Sequence, residues 1–502
     1  MINVTNMSNS LITLLKSDGY KQVHAEQFPK GLVRLVSYMT PRKSRLKSSN
    51  EMVFWGLQAF NKKYLVEDFN VNFFNRPLED VINEYTEVLD VMLGRGNYDL
   101  RKIIDLHKLG YLPLEISALP EGTIVPMQVP CIQITNTHKN FAWVVQWIES
   151  LLSAEIWKSC IHAGVGYSYR QIVNKYYDLT VDDNVLRSKA ISDFGFRGMS
   201  GLDEATKASA AWLVSFSGTA TIPAVPYLAE MYNTPINQIA TNAISTEHSV
   251  MASNYAVDGD EIKFVKRLLT EIYPNASFSM VSDTYDLFAL INRLPEIKEE
   301  IMNHNGKLLI RPDSGDIIEI SVNVVERLWE LFGGTINSKG YKVLNPKLGV
   351  VYGDGVTQQR AEAIYQALME KGFASNCIIF GAGSFSFNCI EEDGVLKPYT
   401  RDTYSVAIKA TYGEIEDENG EIWEIPIFKD PVTDTDKFKK SQKGCCIVKY
   451  DENNNLICED EHSFLETRKM PENKFNVVFR NGVLEDEESL ADIRNRLHKD
   501  AF

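Results

Sequence analysis

The sequence has few of the features that mark secreted or metal-binding proteins. Its 502 residues include seven cysteines, at positions 131, 160, 377, 389, 445, 446 and 458, and no two of them form a Cys-x-x-Cys pair. An odd number of cysteines without paired spacing argues against a disulfide scaffold and against a zinc site. We therefore expect no protein-bound structural metal and a location in a reducing cytoplasm.

Long apolar runs and excess positive charge are also lacking. No stretch approaches the roughly 20 apolar residues of a membrane span, and the polar N-terminus does not resemble a signal peptide. The chain has 52 Lys and Arg against 67 Asp and Glu, a net charge of −15, which disfavours general binding to nucleic acids or anionic membranes. We therefore predict small-molecule ligands, with any phosphate group held by a local basic cluster.

The composition itself is that of a globular protein, with 44% hydrophobic and 24% charged residues. A chain of this length suggests two to four domains, or fewer if one is a barrel. Residues 1–140 mix alternating apolar runs with helical stretches at 78–94 and 98–108, which indicates an α+β arrangement. Residues 140–177 have the apolar spacing of packed helices, and residues 385–424 are expected to be loop-like and rich in hairpins.

The middle of the chain repeats one pattern. Short apolar runs at 278–286, 307–316, 347–355 and 377–384 end in Asp, Gly or Ser, and helical patterns follow most of them, including one from 287 to 303. Such runs are typical of buried parallel strands, and a strand–helix repeat predicts a parallel sheet or barrel. The fold class is therefore α/β, with the chemistry expected where the strands end.

Three small motifs fall at those strand ends. RPDSGD (311–316) offers Arg311 to an anion and an aspartate to ribose hydroxyls, and GDG (353–355) repeats this with Asp354 and close backbone approach. GAGS (381–384) can cradle a phosphate with backbone N–H groups. Each motif alone is also compatible with simple turn geometry, but their occurrence in series favours a functional site.

Two further motifs combine reactive residue types. DFGFRG (193–198) sets Phe194, which can stack on a flat ring, three residues before Arg197, which can hold an anion. No kinase glycine loop or HRD segment accompanies this DFG, which excludes a kinase. TEHS (246–249) places His248 beside Glu247, so that the histidine is either structural or a nucleophile or acid–base group.

Taken together, these motifs resemble those of the nicotinamide phosphoribosyltransferases. The resemblance rests on LLKSDGYKQVH, VFWGLQ, DFGFRG, GTATIPA, TEHS, VSDTYD, LIRPDSG, GDG, the GAGS loop, YTRD and FKDP, in that order over about residues 14–485. It implies an irregular TIM-like α/β barrel plus an α+β domain formed from both chain ends. The expected domains are 1–150 (first part of the α+β domain), 151–395 (barrel with the active site) and 396–502 (completion of the α+β domain).

The resemblance also implies an activity, in which nicotinamide and 5-phosphoribosyl-1-diphosphate give nicotinamide mononucleotide and diphosphate in NAD salvage. It implies Mg²⁺, ATP as a co-substrate that phosphorylates a histidine, and a homodimer that shares its active sites. The implied catalytic residues are His248, Asp313, Asp283 and Glu247. The implied nicotinamide-binding residues are Phe194, Ser279, Asp18 and Tyr20, the last from the other subunit. The implied ribose- and phosphate-binding residues are Arg197, Arg311, Gly353, Asp354, Gly383, Ser384, Arg401, Arg42, Lys409 and Lys429.

Two departures from the family pattern leave alternatives open. Ala220 stands where the family has an aspartate that accepts from the amide of nicotinamide and repels nicotinic acid, which weakens the case for the amide. The glycine run of the phosphate loop is replaced by GAGSFSF, and about nine extra residues precede YTRD. The changed loop is either a tolerated surface insertion or a site for a larger donor, such as ADP-ribose-1-diphosphate, which would give NAD directly. A third alternative, a catalytically silent sensor of NAD metabolites, would be expected to lack His248 or the ribose-binding acids, and none is missing.

Overall fold

The computed structural model describes residues 11–182, 185, 187–353, 355–433 and 440–498. The described chain divides into two compact units. The terminal unit contains residues 11–161, 231–233 and 399–497, so both ends of the chain contribute to it. The central unit contains residues 162–230, 234–398 and 498. Asp354, one of the predicted ribose-binding residues, lies outside the described residues.

The strands are numbered here in chain order. They are β1 Leu32–Thr40, β2 Glu51–Val53, β3 Leu114–Ala118, β4 Ile124–Pro126, β5 Ile132–Asn136, β6 Ile191–Asp193, β7 Gly218–Thr219, β8 Ile244–Ser245, β9 Phe278–Val281, β10 Leu308–Arg311, β11 Gly334–Ile336, β12 Lys342–Leu344, β13 Leu348–Tyr352, β14 Ile378–Ala382, β15 Cys389–Glu392, β16 Val395–Pro398, β17 Ala407–Glu416, β18 Ile422–Pro426, β19 Cys445–Tyr450, β20 Leu456–His462, β21 Asn476–Arg480 and β22 Val483–Leu484.

The α-helices range from single turns to nine turns. They are Leu57–Phe60, Leu78–Met92, Arg101–Leu109, Val144–Trp147, Glu149–Thr180, Leu202–Trp212, Ala224–Met231, His248–Asp258, Glu261–Arg267, Leu287–Arg293, Lys298–Asn303, Ile317–Phe332, Gln358–Glu370, Phe385–Asn388, Phe464–Thr467 and Leu490–Leu497. Within the described residues, none of the helices is both long enough and apolar enough to cross a membrane.

The terminal unit is built on a seven-stranded sheet in the order β18-β17-β1-β5-β3-β21-β22. Neighbouring strands in it run antiparallel, and the long central pair β1–β17 joins the N-terminal part of the chain to the C-terminal part. Residues from both parts, including Val36, Tyr38, Tyr412 and Cys446, pack into one apolar cluster. Burial of that shared apolar surface holds the two chain ends in one α+β unit.

The central unit is built on a seven-stranded parallel sheet in the order β7-β6-β14-β13-β10-β9-β8. The central strands β9, β10 and β13 are largely apolar and almost fully buried, as parallel strands covered on both faces must be. Helices Leu287–Arg293, Ile317–Phe332 and Gln358–Glu370 follow β9, β10 and β13. The curled parallel sheet with its strand–helix repeat confirms the predicted α/β class.

Some predicted elements differ from those in the structure. The helix expected over 287–303 is interrupted by a 3₁₀ turn at Leu294–Ile297, because Pro295 cannot donate a hydrogen bond in a continuous helix. The helical stretch 140–177 consists of the single turn Val144–Trp147 and the long helix Glu149–Thr180. The region expected to be loop-like contains the hairpin β15–β16 and the long strand β17, which belongs to the main sheet of the terminal unit.

Candidate active site

Phe194 directly follows strand β6, and its ring packs against the backbone of Gly353 and Gly381. Its N–H donates to the carbonyl of Ala382 at 2.9 Å, which ties it to the neighbouring strand β14. A Cβ built on Gly381 would overlap the ring, and one on Gly353 would lie 3.3 Å from the ring atom Cε2. The two glycines are therefore needed because the ring occupies the space that a side chain would fill.

Asp193, immediately before Phe194, is only 2% exposed and uses both carboxylate oxygens. Oδ1 accepts from the N–H of Gly195 at 2.7 Å, and Oδ2 accepts from the hydroxyls of Thr219 and Thr221, each at 2.8 Å. The Asp193 carbonyl also accepts from the N–H of Ala220 at 2.9 Å. One buried carboxylate thus fixes the segments on both sides of the exposed Ala220 and the turn that follows Phe194.

Arg311 and Asp313 come from the end of β10 and the turn after it. Arg311 Nη2 donates to the carbonyl of Thr246 at 2.9 Å, and Nε lies 3.7 Å from Asp313 Oδ1. The buried Nε atom has no hydrogen-bond partner. Burial lowers the pKa of the Arg311 guanidinium, and the carboxylates of Asp313 and Asp283 act against that shift. The group stays charged, since the ordinary arginine pKa is above 12, and Nε is left available to an anion or a carbonyl.

His248 begins the helix His248–Asp258 and is half exposed. Its Nε2 lies 3.9 Å from both Asp283 Oδ1 and Asp313 Oδ2, and its Nδ1 lies 3.2 Å from the Thr284 hydroxyl. Asp283 Oδ2 accepts from the N–H of Asp313 at 2.9 Å, whereas its buried Oδ1 has no hydrogen-bond partner. The ends of β9 and β10 therefore present two carboxylates to one imidazole.

The loop after β14 approaches the turn after β6. A Cβ on Gly198 would overlap the Ser384 side chain, so these two backbones pass close together. Asn388 Nδ2 donates to the carbonyls of Gly198 at 3.1 Å and Ser384 at 3.0 Å. The hairpin β15–β16, which contains the extra residues, follows directly and is joined to the neighbouring helix because Gln359 donates to the carbonyl of Glu391 at 2.8 Å.

These segments enclose a cavity of about 650 Å³. It is lined by Phe194, Phe196, Arg197, Gly198, Ala220, Asn242, Ser245, Thr246, Glu247, Arg311, Asp313, Gly353, Gly383 and Ser384. Its wall therefore combines an aromatic ring, a carboxylate, two guanidinium groups and glycine-rich backbone. A cavity of this size and chemistry fits a flat ring joined to a phosphorylated sugar.

Most predicted site residues of the central unit border this cavity or the His248 cluster. Ser279 does neither by the contacts described: it lies within β9, is 2% exposed, and its hydroxyl has no hydrogen-bond partner. Its role toward a carboxamide stays a prediction. A metal-binding group of three or more His, Cys, Asp or Glu residues is absent from the described part of the chain.

Several predicted residues lie in the terminal unit, where Tyr20 is 55% exposed. Burial raises the pKa of Tyr20, with further contributions from Glu149 and Asp18 and an opposing one from Arg401. Lys409 pairs with Glu149 at 3.1 Å. Asp18, Tyr20, Arg401 and Lys409 thus lie in one charged neighbourhood of this unit.

Arg42 and Lys429 also belong to the terminal unit. Arg42 Nε donates to the carbonyl of Ser405 at 3.1 Å, which holds it against the turn that follows Arg401. The backbone of Lys429 exchanges hydrogen bonds with Ser441, at 2.9 Å to its hydroxyl and 3.0 Å from its N–H. These contacts hold the Arg42 side chain and the Lys429 backbone, and the roles of both side chains toward a ligand stay predictions.

Sequence reasoning missed several residues of the cavity wall. Phe196 and Gly198 lie inside the DFGFRG motif, and Ser245 and Thr246 directly precede Glu247, so a wider reading of those motifs would have included them. Asp193 belongs to the DFGFRG motif, but no sequence pattern indicates the hydrogen-bond network that its buried carboxylate forms. Asn242 lies in a segment without any recognisable pattern.

Comparison with known proteins agrees with this geometry. The profile of the nicotinate phosphoribosyltransferase (NAPRTase) family matches residues 189–483, and that of the nicotinamide phosphoribosyltransferase N-terminal domain matches residues 12–116. A nicotinamide phosphoribosyltransferase of Acinetobacter baylyi is 36% identical over 98% of both chains. The chain belongs to the nicotinamide phosphoribosyltransferase family. A second member, from Xanthomonas campestris pv. campestris, is 32% identical over 86% of each chain.

Solved structures agree on the fold. A human nicotinic acid phosphoribosyltransferase aligns over 96% of this chain and 93% of its own, with a TM-score of 0.55 at 12% identity. A nicotinate-nucleotide pyrophosphorylase from Pyrococcus furiosus aligns over 99% of this chain and 96% of its own, with a TM-score of 0.57 at 14% identity. These likenesses show that the chain shares the fold of these structures.

Proposed function

We propose that this enzyme transfers the phosphoribosyl group of 5-phosphoribosyl-1-diphosphate to nicotinamide, releasing diphosphate and forming nicotinamide mononucleotide in NAD salvage. The observation that carries the proposal is that the Phe194 ring, the Arg311–Asp313 pair and the Gly383–Ser384 backbone line one cavity. Together they offer a stacking surface for a flat base, a carboxylate for a ribose and backbone N–H groups for a phosphate. The names of the relatives, nicotinamide phosphoribosyltransferases at up to 36% identity, support the same base and activity.

The chemistry required of the protein is positioning and charge stabilisation. Cleavage of the bond between C1 of ribose and the diphosphate passes through an oxocarbenium-like state, as in glycosyl transfer. Phe194 holds the pyridine ring flat, with its nitrogen toward C1, and Asp313 accepts from a ribose hydroxyl. Arg197 and the loop N–H groups neutralise phosphate charge. Fixing both reactants in this way removes much of the entropic cost of bringing them together.

Mg²⁺ fits this site as an ion carried by the diphosphate. The unpartnered buried Oδ1 of Asp283 and the nearby Asp313 carboxylate would supply protein oxygens, and Mg²⁺ commonly combines one or two carboxylates with substrate phosphates. When bound, the ion neutralises the negative charge that develops on the departing diphosphate. Asp283 is held ready for this role because its other oxygen already accepts from the backbone of Asp313.

We assign the reaction with the co-substrate ATP to His248. If Nδ1–H donates to the Thr284 hydroxyl, the lone pair is on Nε2, the nitrogen that faces Asp283 and Asp313. Attack of Nε2 on the terminal phosphorus forms a P–N bond, breaks the bond to ADP and releases the imidazole proton. The added negative charge would lie beside the diphosphate site and couple ATP use to substrate capture.

We further propose a cytoplasmic homodimer in which the terminal unit of one subunit completes the site of the other. Tyr20, Asp18, Arg42, Arg401, Lys409 and Lys429 are the residues assigned to this contribution. The support is the proximity of Tyr20 to Asp18 and Arg401, together with the family resemblance, since an acidic chain needs local cations to hold a diphosphate.

A matched pair of aspartates within RPDSGD tests the proposal. Asp313→Ala removes the carboxylate of the cavity and should abolish nicotinamide mononucleotide formation. Asp316→Ala removes only the cap of the helix Ile317–Phe332, whose first N–H groups donate to Asp316 Oδ1 at 3.1 and 2.9 Å. It should lower stability by about 1 kcal/mol and leave turnover near wild type. Full activity in the Asp313 variant would remove this residue from the site.

A further inference from the structure

An aromatic pair lies on the surface close to the His248 cluster and has no part in the cavity. The rings of Tyr255 and Tyr285 are 4.6 Å apart between centroids and inclined by 47°. Tyr255 is 39% exposed and Tyr285 is 54% exposed. Neither residue lines the 650 Å³ cavity, so the base and sugar of the proposed reaction do not explain why two large rings stay open to solvent.

The position of the pair relative to His248 is set by two independent connections. Tyr285 directly follows Thr284, whose hydroxyl contacts His248 Nδ1 at 3.2 Å. Tyr255 lies on the helix that His248 begins, seven residues later. Two turns of helix bring position i+7 back to the same face, about 10 Å farther along the axis. The aromatic pair and His248 therefore share one face of the helix.

We propose that Tyr255 and Tyr285 form a stacking platform for the purine base of the ATP that phosphorylates His248. This inference rests on the ATP role given under Proposed function and adds where the nucleotide's base binds. With the base on the tyrosines, the ribose and triphosphate extend along the helix and bring the terminal phosphorus to Nε2. The nucleotide then lies outside the cavity, so that nicotinamide and the ribosyl donor can occupy the cavity at the same time.

The energetics of stacking give the size of the expected effect. Stacking of one base on aromatic side chains changes affinity by roughly five- to a hundredfold in alanine substitutions. Because stacking uses the ring and not the hydroxyl, Tyr255→Phe should retain it. The platform should also favour adenosine triphosphate over inorganic tripolyphosphate, which has the same transferable group without a base.

The experiment measures binding and phosphorylation separately on the full-length protein. Isothermal titration with adenosine 5′-(β,γ-imido)triphosphate gives Kd for wild type, Tyr255→Ala, Tyr285→Ala and Tyr255→Phe. The control is Tyr450→Ala, which removes an equally exposed tyrosine (48%) from the terminal unit. We expect each central-unit alanine variant to raise Kd at least about fivefold, and the phenylalanine and control variants to keep the wild-type value. Phosphohistidine yield from ATP should fall in parallel, with yield from tripolyphosphate unchanged.

The outcomes separate this inference from the function on which it rests. Wild-type Kd in both alanine variants, with His248 still phosphorylated, overturns the platform alone. A shift of the alanine variants from dimer to monomer in light scattering, without a change of Kd, also overturns it and shows that the pair is a subunit contact. If the wild-type protein neither binds the analogue nor forms phosphohistidine, the ATP role and the platform both fall, while nicotinamide transfer can still be measured.

Discussion

The substitution Gly381→Ala is the sharpest structural test of the pyridine site. A methyl group at this position overlaps ring atoms Cδ2 and Cε2 of Phe194 and lies 3.0 Å from the Cα of Gly353. The overlap with the ring is the more severe of these contacts, so the phenylalanine ring must leave its place. The variant should therefore lose the stacking surface for nicotinamide while keeping every charged group of the cavity.

The expected magnitude follows from the two consequences of that displacement. Loss of stacking on one aromatic ring corresponds to about 1–3 kcal/mol, so the KM for nicotinamide should rise at least about fivefold. Overpacking of this kind lowers the free energy of unfolding by about 1–3 kcal/mol. Gly353→Ala is the graded comparison, because its methyl group would meet the same ring at 3.3 Å and requires a shift of only a few tenths of an ångström.

The assay is initial-rate kinetics with nicotinamide and the phosphoribosyl donor varied independently, together with thermal unfolding. The KM for nicotinamide should be highest in Gly381→Ala, lower in Gly353→Ala and lowest in wild type. The KM for the donor should change less. A wild-type nicotinamide KM in a folded Gly381→Ala protein would refute the placement of Phe194 under the pyridine ring.

Three further predictions concern buried or charged groups. Asp193→Asn places an amide N–H₂ among donors from Gly195, Thr219 and Thr221, so it should cost about 1–3 kcal/mol of stability and raise the nicotinamide KM several-fold; an unchanged KM would contradict its positioning role. His248→Ala should abolish stimulation by ATP and leave slow basal transfer, whereas undiminished stimulation would exclude a phosphohistidine. Glu121 is buried in the terminal unit, where burial raises its pKa to about 7 although the N–H groups of Gly56 and Gln58 and the Tyr232 hydroxyl donate to it. A raised carboxyl pKa gives stability that is complete below the unfolded value near 4.5 and is lost as the pH rises through 7. The difference in stability between Glu121→Gln and wild type should therefore shift in favour of the variant as the pH rises from 5 to 8, by up to about 3 kcal/mol, and a difference independent of pH in denaturant unfolding would contradict this.

The sequence predicted the central unit well because its signals are local. Buried parallel strands are continuous apolar runs, and β9, β10, β13 and β14 all lie within the runs identified from sequence. The residues at their ends, Asp313 and Gly353 among them, meet in the cavity because parallel strands end at one edge of the sheet. The long pairing of β1 with β17 joins residues more than 360 positions apart; the sequence did not predict it, since no local pattern encodes which distant strand becomes a neighbour.

The residues of the candidate site divide in the same way, into those that sequence motifs indicate and those that depend on tertiary packing. Phe194 and Arg311 were recognisable from their motifs, but the reason for Gly381 and the hydrogen bonds from Thr219 and Thr221 to Asp193 depend on packing across separate strands. In the hydrogen-bond network that holds the segments around Ala220, the two threonines come from GTATIPA and the carboxylate comes from DFGFRG, 26 residues or more away. Sequence spacing gives the order of such residues and not their distances.

The identity of the product tests the central claim most directly. Purified protein is incubated with nicotinamide, Mg²⁺ and ATP, and with either 5-phosphoribosyl-1-diphosphate or ADP-ribose-1-diphosphate, and the product mass is read by mass spectrometry. A parallel pair of reactions replaces nicotinamide by nicotinic acid, since Ala220 lacks the carboxylate that would repel it. We predict nicotinamide mononucleotide from the phosphoribosyl donor. NAD from the ADP-ribosyl donor with no mononucleotide from the other, or the nicotinic acid product alone, would contradict the account.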